Sequence, residues 1–266
     1  MMAASALLLF SSCEDHQEAK PTAEAGISAE VLASIQKLGF STQDVHKVAT
    51  GYVVEGDILL TDELLRSTPD QMLLRTPAEE QYRTINLVSR LPRTLIVKVD
   101  PNLPAGFVTA TNEAIRRFNA LNMRLKFRRV SPNDFVTTDI YIQKGYGVDW
   151  FSTAQGHAGF PSGGNPYNDI TMNPQNVGTN WTTTVASIIA HEMGHCIGFR
   201  HSDYMSRQYT CGGTPVNEGA SGVGAIHIPG TPTGPSAGSW MSSCIALGAN
   251  RPFNSTDITA LRHLYQ

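Results

Sequence analysis

Three histidines and one glutamate lie close together in an otherwise apolar stretch of the chain. His191 and His195 are four residues apart, so on an α-helix both imidazoles lie on one face and can reach a single ion. Glu192 would lie beside that ion without binding it, where a general base takes a proton from zinc-bound water. With His201 as a third imidazole, one tetrahedral position is left for water, as in catalytic rather than structural zinc sites. The spacing predicts a catalytic Zn²⁺ site.

A glycine separates the last two histidines. Gly198 comes three residues after His195, where a helix that ends and turns back needs a residue that tolerates positive φ. The apolar residues that precede the motif predict the helix itself. We therefore expect the helix to end at Gly198, and the following turn to bring His201 to the ion.

The complete pattern, His191-Glu192-x-x-His195-x-x-Gly198-x-x-His201, resembles the long zinc signature of the metzincin clan of metallopeptidases at every fixed position. Its wording, His-Glu-Met-Gly-His-Cys-Ile-Gly-Phe-Arg-His-Ser-Asp, is most similar to the bacterial dual-action HEIGH metallopeptidases, and the resemblance runs from about Gly39 to the C-terminus. It implies an α+β fold with a twisted mixed sheet, helices above the cleft, and an irregular C-terminal subdomain with a terminal helix. It also implies hydrolysis of a protein or peptide substrate.

Apolar periodicity predicts the elements that must position this site. The order is strand, helix, strand, strand, which resembles the start of a metzincin N-terminal subdomain, and a capped amphipathic helix ends the chain. The predicted strands cover residues 94–99, 124–130 and 139–143, and the predicted helices cover 107–121 and 255–265.

The segment Gly156-His157-Ala158-Gly159, followed by residues 169–173, resembles the edge strand and next strand of that subdomain. In the clan the edge strand pairs with an extended substrate, and small residues give the backbone access that such pairing needs. The alternative is a plain glycine-rich hairpin. We expect His157 to be an exposed strand residue rather than a second metal ligand.

The segment 238–242 resembles the Met-turn of the clan, in which a methionine forms an apolar floor beneath the zinc. Met241 would support the histidines without binding metal. Astacin-like enzymes carry a tyrosine two residues after that methionine, whereas this chain has Ser243. Tyr204 and Tyr209 are alternative donors to the oxyanion, and the sequence does not choose between them.

Three cysteines follow the N-terminal region. Cys211 and Cys244 flank the irregular loop and the Met-turn, so a disulfide between them would restrict the unfolded chain most. Cys196 lies between two histidines of the motif. We expect it to be a small buried residue of the helix, with direct zinc ligation as the alternative.

The chain begins with an apolar leader over residues 1–12, which has the length of a signal-peptide core and is too short to span a bilayer. Small residues before Cys13 resemble a bacterial lipobox, so we expect an exported protein with a lipid on Cys13, the only membrane attachment predicted. The protein would then be an outer-membrane or cell-surface lipoprotein. The alternative is an ordinary signal peptide and secretion.

Residues 14–91 are predicted to be a polar tether and a propeptide-like segment, and residues 92–266 to be the catalytic domain. The segment from Ile27 onward is too small and polar for an independent domain. Its predicted elements are a helix at 29–38, a strand at 51–54, and helical stretches at 62–65 and 77–82.

The segment Tyr52-Val-Val-Glu-Gly-Asp-Ile58 resembles the Phe-x-Gly-Asp segment of astacin propeptides, in which an aspartate occupies the zinc position meant for water. Asp57 is therefore a candidate latency ligand, since a carboxylate oxygen binds zinc well and Gly56 permits close approach of the backbone. No cysteine lies between Cys13 and Cys196, which excludes a thiolate switch from this segment. The alternative is a simple turn at Gly56 and Asp57.

Composition limits the functional class. The 266 residues are 41% hydrophobic and only 16% charged, with a net charge of −3. The chain therefore lacks the excess of positive charge that nucleic-acid-binding proteins use. We expect a monomeric, exported zinc endopeptidase. The alternative is a non-catalytic surface binding or adhesion lipoprotein on the same fold, against which the intact Glu192 argues.

Overall fold

The computed structural model describes residues 26–67, 81–145, 154–178, 180–213, 217, 219, 223–232, 234–236 and 238–266. The leader, Cys13 and the predicted helical residues 77–80 lie outside this part of the chain.

An eight-stranded mixed sheet forms the centre of the molecule, in the spatial order β1-β2-β3-β8-β9-β7-β5-β6. Strands β9, β7, β5 and β6 are parallel neighbours, whereas β8 runs antiparallel to β9. The strands are β1 (His46–Val48), β2 (Gly51–Val54), β3 (Ile58–Thr61), β5 (Arg93–Val99), β6 (Leu125–Arg129), β7 (Ile140–Lys144), β8 (Gly156–Ala158) and β9 (Asp169–Met172). A separate two-stranded ribbon pairs β4 (Tyr82–Arg83) with β10 (Ile226–His227).

The helices of the described residues are α1 (Ala29–Lys37), α2 (Asp62–Arg66), α3 (Ala105–Asn119), α4 (Pro174–Val177), α5 (Thr182–Ile197), α6 (Gln208–Cys211) and α7 (Ser255–Tyr265). Local sequence sets their ends. Helix α7 begins with a capping box, because the Asn254 side chain accepts from the Asp257 backbone and the Asp257 side chain accepts from the Asn254 backbone.

Helix α5 is buried along almost its whole length, from Thr184 to Ile197. A helix that is apolar on every side belongs in a core. It packs against α3 and the sheet within one hydrophobic cluster that also contains Trp240 and Met241. The buried Arg117 of α3 joins this layer by donating to Ser187 of α5 at 3.1 Å. The polar motif is therefore carried by a rigid element.

Most of the predicted elements are confirmed. The three predicted strands correspond to β5, β6 and β7, the two long predicted helices to α3 and α7, and the N-terminal predictions to α1, β2 and α2. The helical prediction at Tyr82 is wrong, because Tyr82 lies in β4 and pairs with His227. Tyr82 is extended because it pairs with a residue far away in the sequence, which the local pattern does not show.

Two expectations about β8 are also wrong in this structure. The strand is not at an edge, because β3 of the N-terminal segment pairs with it in parallel at Ile58 and Ala158. His157 is not exposed: only 3% of its surface is accessible. The first error has a plain cause, the pairing of the outer side of β8 with β3 of the N-terminal segment.

The N-terminal segment has a small apolar cluster of its own. It consists of Ile35, Leu38, Phe40, Val45, Val54, Ile58, Leu60 and one residue from beyond β8, Phe160. This core is shared across β3 and β8, so the segment is packed onto the rest of the fold. Within the described parts of the chain, no helix has both the length and the apolar character needed to cross a bilayer.

Candidate metal centre and active site

The three motif histidines and Asp57 form one compact group. The Nε2 atoms of His191 and His195 are 3.1 Å apart. Oδ2 of Asp57 lies 3.2 Å from Nε2 of His191, and Oδ1 lies 3.1 Å from Nε2 of His201 and 3.9 Å from Nε2 of His195. The four side chains come from α5, from the turn after it, and from the loop between β2 and β3.

These spacings fit a tetrahedral zinc ion. Imidazole and carboxylate ligands bind zinc at about 2.0–2.2 Å, which holds the ligand atoms of a tetrahedral site roughly 3.3–3.6 Å apart. The distances between Nε2 atoms and the Asp57 oxygens scatter around that value, and all four ligand atoms lie within 4.8 Å of one another. The donor set of three imidazoles and one carboxylate therefore suits zinc.

Backbone carbonyls orient two of the imidazoles. Nδ1 of His191 lies 2.9 Å from the carbonyl oxygen of Trp240, and Nδ1 of His195 lies 2.9 Å from that of Phe199. A carbonyl oxygen only accepts hydrogen bonds, so Nδ1 carries the proton in both rings. The lone pair of Nε2 is then left for a metal.

The turn that delivers the third imidazole depends on Gly198. This residue ends α5 in the left-handed region with φ 110°, as predicted, and its N–H donates to the carbonyl of Gly194 at 3.0 Å. A Cβ there would lie 2.7 Å from Cδ2 of Leu87 and 2.8 Å from the carbonyl oxygen of Asn86. Both the backbone conformation and the space exclude a side chain.

The predicted Met-turn lies directly beneath the motif helix. Met241 is fully buried, and a Cβ on Gly194 would lie 2.5 Å from its sulfur and 2.7 Å from the Trp240 ring. The turn can approach the helix this closely only because residue 194 is a glycine without a Cβ. Trp240 also supplies the carbonyl that orients His191, so this turn contacts the histidine through its backbone and the motif helix through its side chains.

Asp257 of α7 holds the Met-turn in place. Its carboxylate accepts from Ser239 Oγ at 2.9 Å, from the Trp240 backbone at 3.2 Å and from Gln81 Nε2 at 2.7 Å. Asp257 and Gln81 are fully buried. The network joins three distant parts of the chain, and sequence reasoning did not identify it, because no local pattern marks it.

Asp203 organises the segment that follows the methionine. It accepts from the Ser243 backbone at 2.9 Å and from the Ser243 hydroxyl at 2.8 Å. Of the two tyrosines considered as oxyanion donors, Tyr204 is buried against Tyr82, and Tyr209 is half exposed. Neither lines the cavity beside Glu192. The geometry thus favours neither tyrosine as a donor.

The cysteines are arranged as the sequence predicted. Cys211 and Cys244 form a disulfide, which joins α6 to the segment after the Met-turn. The free Cys196 is fully buried, and its sulfur lies 3.9 Å from the carbonyl oxygen of Asp169, away from the histidine cluster. Zinc ligation by Cys196 has no support in this arrangement.

Glu192 is buried beside the histidines with 2% of its surface accessible. Its Oε2 atom has no hydrogen-bond partner among the described residues. A buried carboxylate oxygen without a donor is costly unless a proton or a water reaches it. Burial, reinforced by the nearby Asp57, raises the pKa of Glu192 well above its ordinary value. Such a group can both accept and return a proton.

The pKa values of two other groups of the centre, His195 and Asp57, are shifted in the opposite direction. Burial, together with the neighbouring His191, lowers the pKa of His195 well below its ordinary value. Burial alone would raise the pKa of Asp57, but the charges and hydrogen bonds of His201 and His191 hold it well below its usual range. A neutral imidazole and an ionised carboxylate are the forms that bind a metal.

Two contacts hold the Asp57 loop against the centre. The Ala158 backbone donates to the carbonyl of Asp57 at 3.0 Å, which links the loop to β8. Glu55 forms an ion pair with Arg200 at 3.4 Å, and both side chains are completely buried. Arg200 precedes the candidate ligand His201. The loop is therefore fixed on both sides of Asp57.

A cavity of about 190 Å³ opens beside the histidine cluster. Asp57, His191 and Glu192 line it together with Gly156 of the predicted substrate strand, whereas His157, Ala158 and Gly159 do not. Two arginines that the sequence analysis did not consider, Arg207 and Arg251, also line it. Neither arginine belongs to a recognisable motif.

Comparisons with known proteins agree with this site. The dual-action HEIGH metallopeptidase family matches residues 52–265, a span that contains Asp57 and the complete histidine motif. No curated protein matches the chain significantly.

Several solved structures are similar to the chain. Two structures of myroilysin show 13% and 12% identity, each covering 68% of this chain and 96% and 86% of their own, with TM-scores of 0.45 and 0.40. The hatching-enzyme zinc protease HCE-1 from the medaka fish Oryzias latipes shows 14% identity over 64% of this chain and 88% of its own, with a TM-score of 0.34. From the family match, the chain belongs to the dual-action HEIGH metallopeptidases, hydrolases of peptide bonds whose cofactor is zinc.

Proposed function

We propose that this chain is an exported zinc endopeptidase that folds in a latent form, with His191, His195 and His201 as metal ligands and Asp57 as the latency ligand. One observation carries the proposal. The Asp57 carboxylate faces all three imidazoles at 3.1–3.9 Å, in the place that a catalytic zinc site keeps for water. A simple turn residue would have no reason to enter the histidine cluster.

Glu192 is the proposed general base. When bound, zinc supplies Lewis acidity to a peptide carbonyl and lowers the pKa of water. Glu192 takes one proton from the attacking water and passes it to the departing amine, so the carboxylate is restored after each cleavage. Its buried position beside His191 supports this role, as does the lack of a competing hydrogen-bond donor to Oε2 from any described residue.

The N-terminal segment would also occupy the substrate position. We propose that substrate pairs with β8 and the adjacent Gly159, the strand that β3 covers through Ile58 and Ala158. Backbone pairing along a strand binds an extended peptide without needing the N- or C-terminus of that peptide. It therefore favours cleavage of internal peptide bonds. Latency would thus rest chiefly on the carboxylate at the metal, and the strand in the cleft would weaken substrate binding without preventing it.

The removable part would end before Gln81. Gln81 is fully buried and donates to Asp257 and Ser239, and the Thr84 backbone donates to the carbonyl of Gly198. Residues from Gln81 onward therefore support the Met-turn and the end of α5. The segment up to Ser67 makes the contacts that block the site.

Export is supported by the Cys211–Cys244 disulfide, because such bridges persist in oxidising compartments. Lipidation of Cys13 and a monomeric state remain part of the proposal. Detergent partitioning of the exported protein and of Cys13→Ser tests the anchor: only the wild type should enter the detergent phase.

Peptide release from denatured casein tests the catalytic proposal. The zinc-loaded full chain carrying Asp57→Ala should release peptides, and the same chain carrying Glu192→Gln in addition should release none above background. A non-catalytic binding protein would release none in either form. That result would reject the peptidase and favour the surface-binding alternative.

A further inference from the structure

The cavity beside Glu192 has a wall that the catalytic proposal does not use. Ser187 and Ile188 lie about one turn before the His191–Glu192 pair on α5, and they line the cavity together with Ile245 and Arg251. Its volume of about 190 Å³ is below the roughly 300–1,000 Å³ of pockets that take a whole small ligand. The size suits one side chain of a substrate peptide.

The backbone of Arg251 is fixed to the motif helix. Its N–H donates to Ser187 Oγ at 2.9 Å, and its carbonyl oxygen accepts from Arg117 at 3.4 Å. Because Ser187 lies one helical turn before His191, Arg251 is held close to the metal centre. The position is set by buried groups, since Ser187 and Arg117 are both buried.

The guanidinium of Arg251 has donor capacity to spare. Nη1 donates to the Ser242 carbonyl at 3.4 Å, and Arg251 forms no ion pair with a carboxylate among the described residues. A guanidinium offers five N–H groups, so most of them have no acceptor within the described part of the chain. Burial lowers the pKa of Arg251, with Asp203 and Asp257 acting in the opposite direction.

Asp203 and Asp257 act on Arg251 without pairing directly with it among the described residues. A half-buried cation on a cavity wall without a direct ion pair is expensive unless an anion joins it. Arg207 also lines the cavity and also remains when the N-terminal segment leaves, but its guanidinium lies against Gly56 rather than beside Ser187. Arg251 lies on residues that remain when that segment leaves. Its charge would then face a substrate in the cleft.

We propose that Arg251 makes this cavity a subsite for an acidic side chain, so that the enzyme prefers substrates with aspartate or glutamate next to the scissile bond. This inference rests on the proposed function and names its substrate class. The carboxylate of the substrate supplies the acceptor that the guanidinium lacks, in the bidentate geometry that arginine favours. Ile188 and Ile245 contact the methylene part of the same side chain.

Matched fluorogenic peptides test the inference. They carry Asp, Asn or Lys at one of the two positions flanking the bond, and they are given to the zinc-loaded full chain with Asp57→Ala. We expect kcat/KM to be about 10- to 100-fold higher for Asp than for Asn at one position, because hydrogen bonds to charged groups contribute about 1.5–3 kcal/mol. Values within about twofold at both positions would overturn the inference.

Variants separate a specificity role from a structural one. Arg251→Met should give equal kcat/KM for the Asp and Asn peptides, and Arg251→Lys should keep part of the preference for Asp. Arg251→Glu should cleave the Lys peptide with the highest kcat/KM. Arg128→Met, which removes an exposed arginine of the outermost strand β6, should leave the ratio as in the parent. If Arg251→Met keeps the full preference for Asp, the assignment to Arg251 is wrong.

A binding measurement distinguishes this failure from failure of the proposed function. The full chain with Asp57→Ala and Glu192→Gln should bind the Asp peptide about tenfold or more tightly than the Asn peptide, without cleavage. If the catalytic form cleaves no peptide, the proposed function fails, and the binding ratio still decides the inference. Equal binding of both peptides would overturn the subsite alone.

Discussion

The two halves of the metal cluster are held in different ways. His191 and His195 lie on a buried helix, and main-chain carbonyls of Trp240 and Phe199 fix their rings. Asp57 lies in a loop attached by one backbone hydrogen bond to β8 and by a neighbouring ion pair. The histidines are part of the core, whereas the aspartate approaches them from a separately packed segment.

This difference separates metal binding from control. Ligands fixed by a core are already in place before a metal arrives and do not depend on the N-terminal segment. A ligand delivered by a peripheral loop can leave without unfolding the domain. Changes on the histidine side should therefore affect catalysis or stability, and changes on the aspartate side should affect latency.

The largest effect is expected for Glu192→Gln. The amide keeps the size of the side chain but cannot take a proton, so hydrolysis by the Asp57→Ala chain should fall by about 10²- to 10⁴-fold. Zinc content, measured by atomic absorption, should stay near that of the parent. Retained activity would refute the base assignment.

His201→Ala also tests the histidine side of the metal cluster. Removing one imidazole from the cluster should lose zinc and activity together, unlike Glu192→Gln. The measurement is zinc content after dialysis against a weak chelator. A variant that keeps zinc with full occupancy would show that His201 is not a ligand.

Glu55→Gln should affect the aspartate half. Breaking a buried ion pair by removing one partner costs about 3–5 kcal/mol, because the charge of Arg200 stays buried. The N-terminal segment should become sensitive to limited proteolysis, while zinc content stays unchanged. The exposed Glu63→Gln is the control, and it should be as resistant as the wild type.

Gly198→Ala should disturb the histidine half. The left-handed backbone and the contacts with Leu87 and Asn86 together predict a loss of about 2–4 kcal/mol in the free energy of unfolding. Urea denaturation gives this value. Gly163→Ala also changes a glycine with positive φ, but open space surrounds it, so its cost should be smaller.

The smallest effect is expected for Asp257→Asn. The amide nitrogen cannot accept, so donors from Ser239, Trp240 and Gln81 lose part of their partner set, at about 1–3 kcal/mol. Because Trp240 also orients His191, zinc should dissociate faster as well. Unchanged zinc release would show that the Met-turn is held by packing alone.

Local patterns in the sequence predicted the parts that local physics decides. Spacing on one helix located His191 and His195, and Gly198 marked the turn because its backbone conformation is restricted. Family resemblance indicated Met241 and Asp57. The β-branched run of β5 and the helical period of α3 were sufficient to predict both elements.

Contacts between distant residues could not be predicted in this way. The pairing of β3 with β8 reversed the expectation for the edge strand, and no local pattern in the sequence predicts this pairing. Arg200, Arg251 and Asp257 are ordinary polar residues in the sequence. They acquire a role only when the fold buries them beside partners from other segments.

The most direct test of the account is the hydrolysis rate of intact, uncleaved chains. Zinc-loaded wild type, Asp57→Ala and the control Asp62→Ala, which changes an exposed aspartate of the same segment, are compared on one fluorogenic peptide. Intactness is checked by mass spectrometry. If the carboxylate occupies the metal position, Asp57→Ala should be at least about tenfold faster than the other two, because a larger fraction of its sites is competent. Equal rates for all three intact proteins would contradict latency by Asp57.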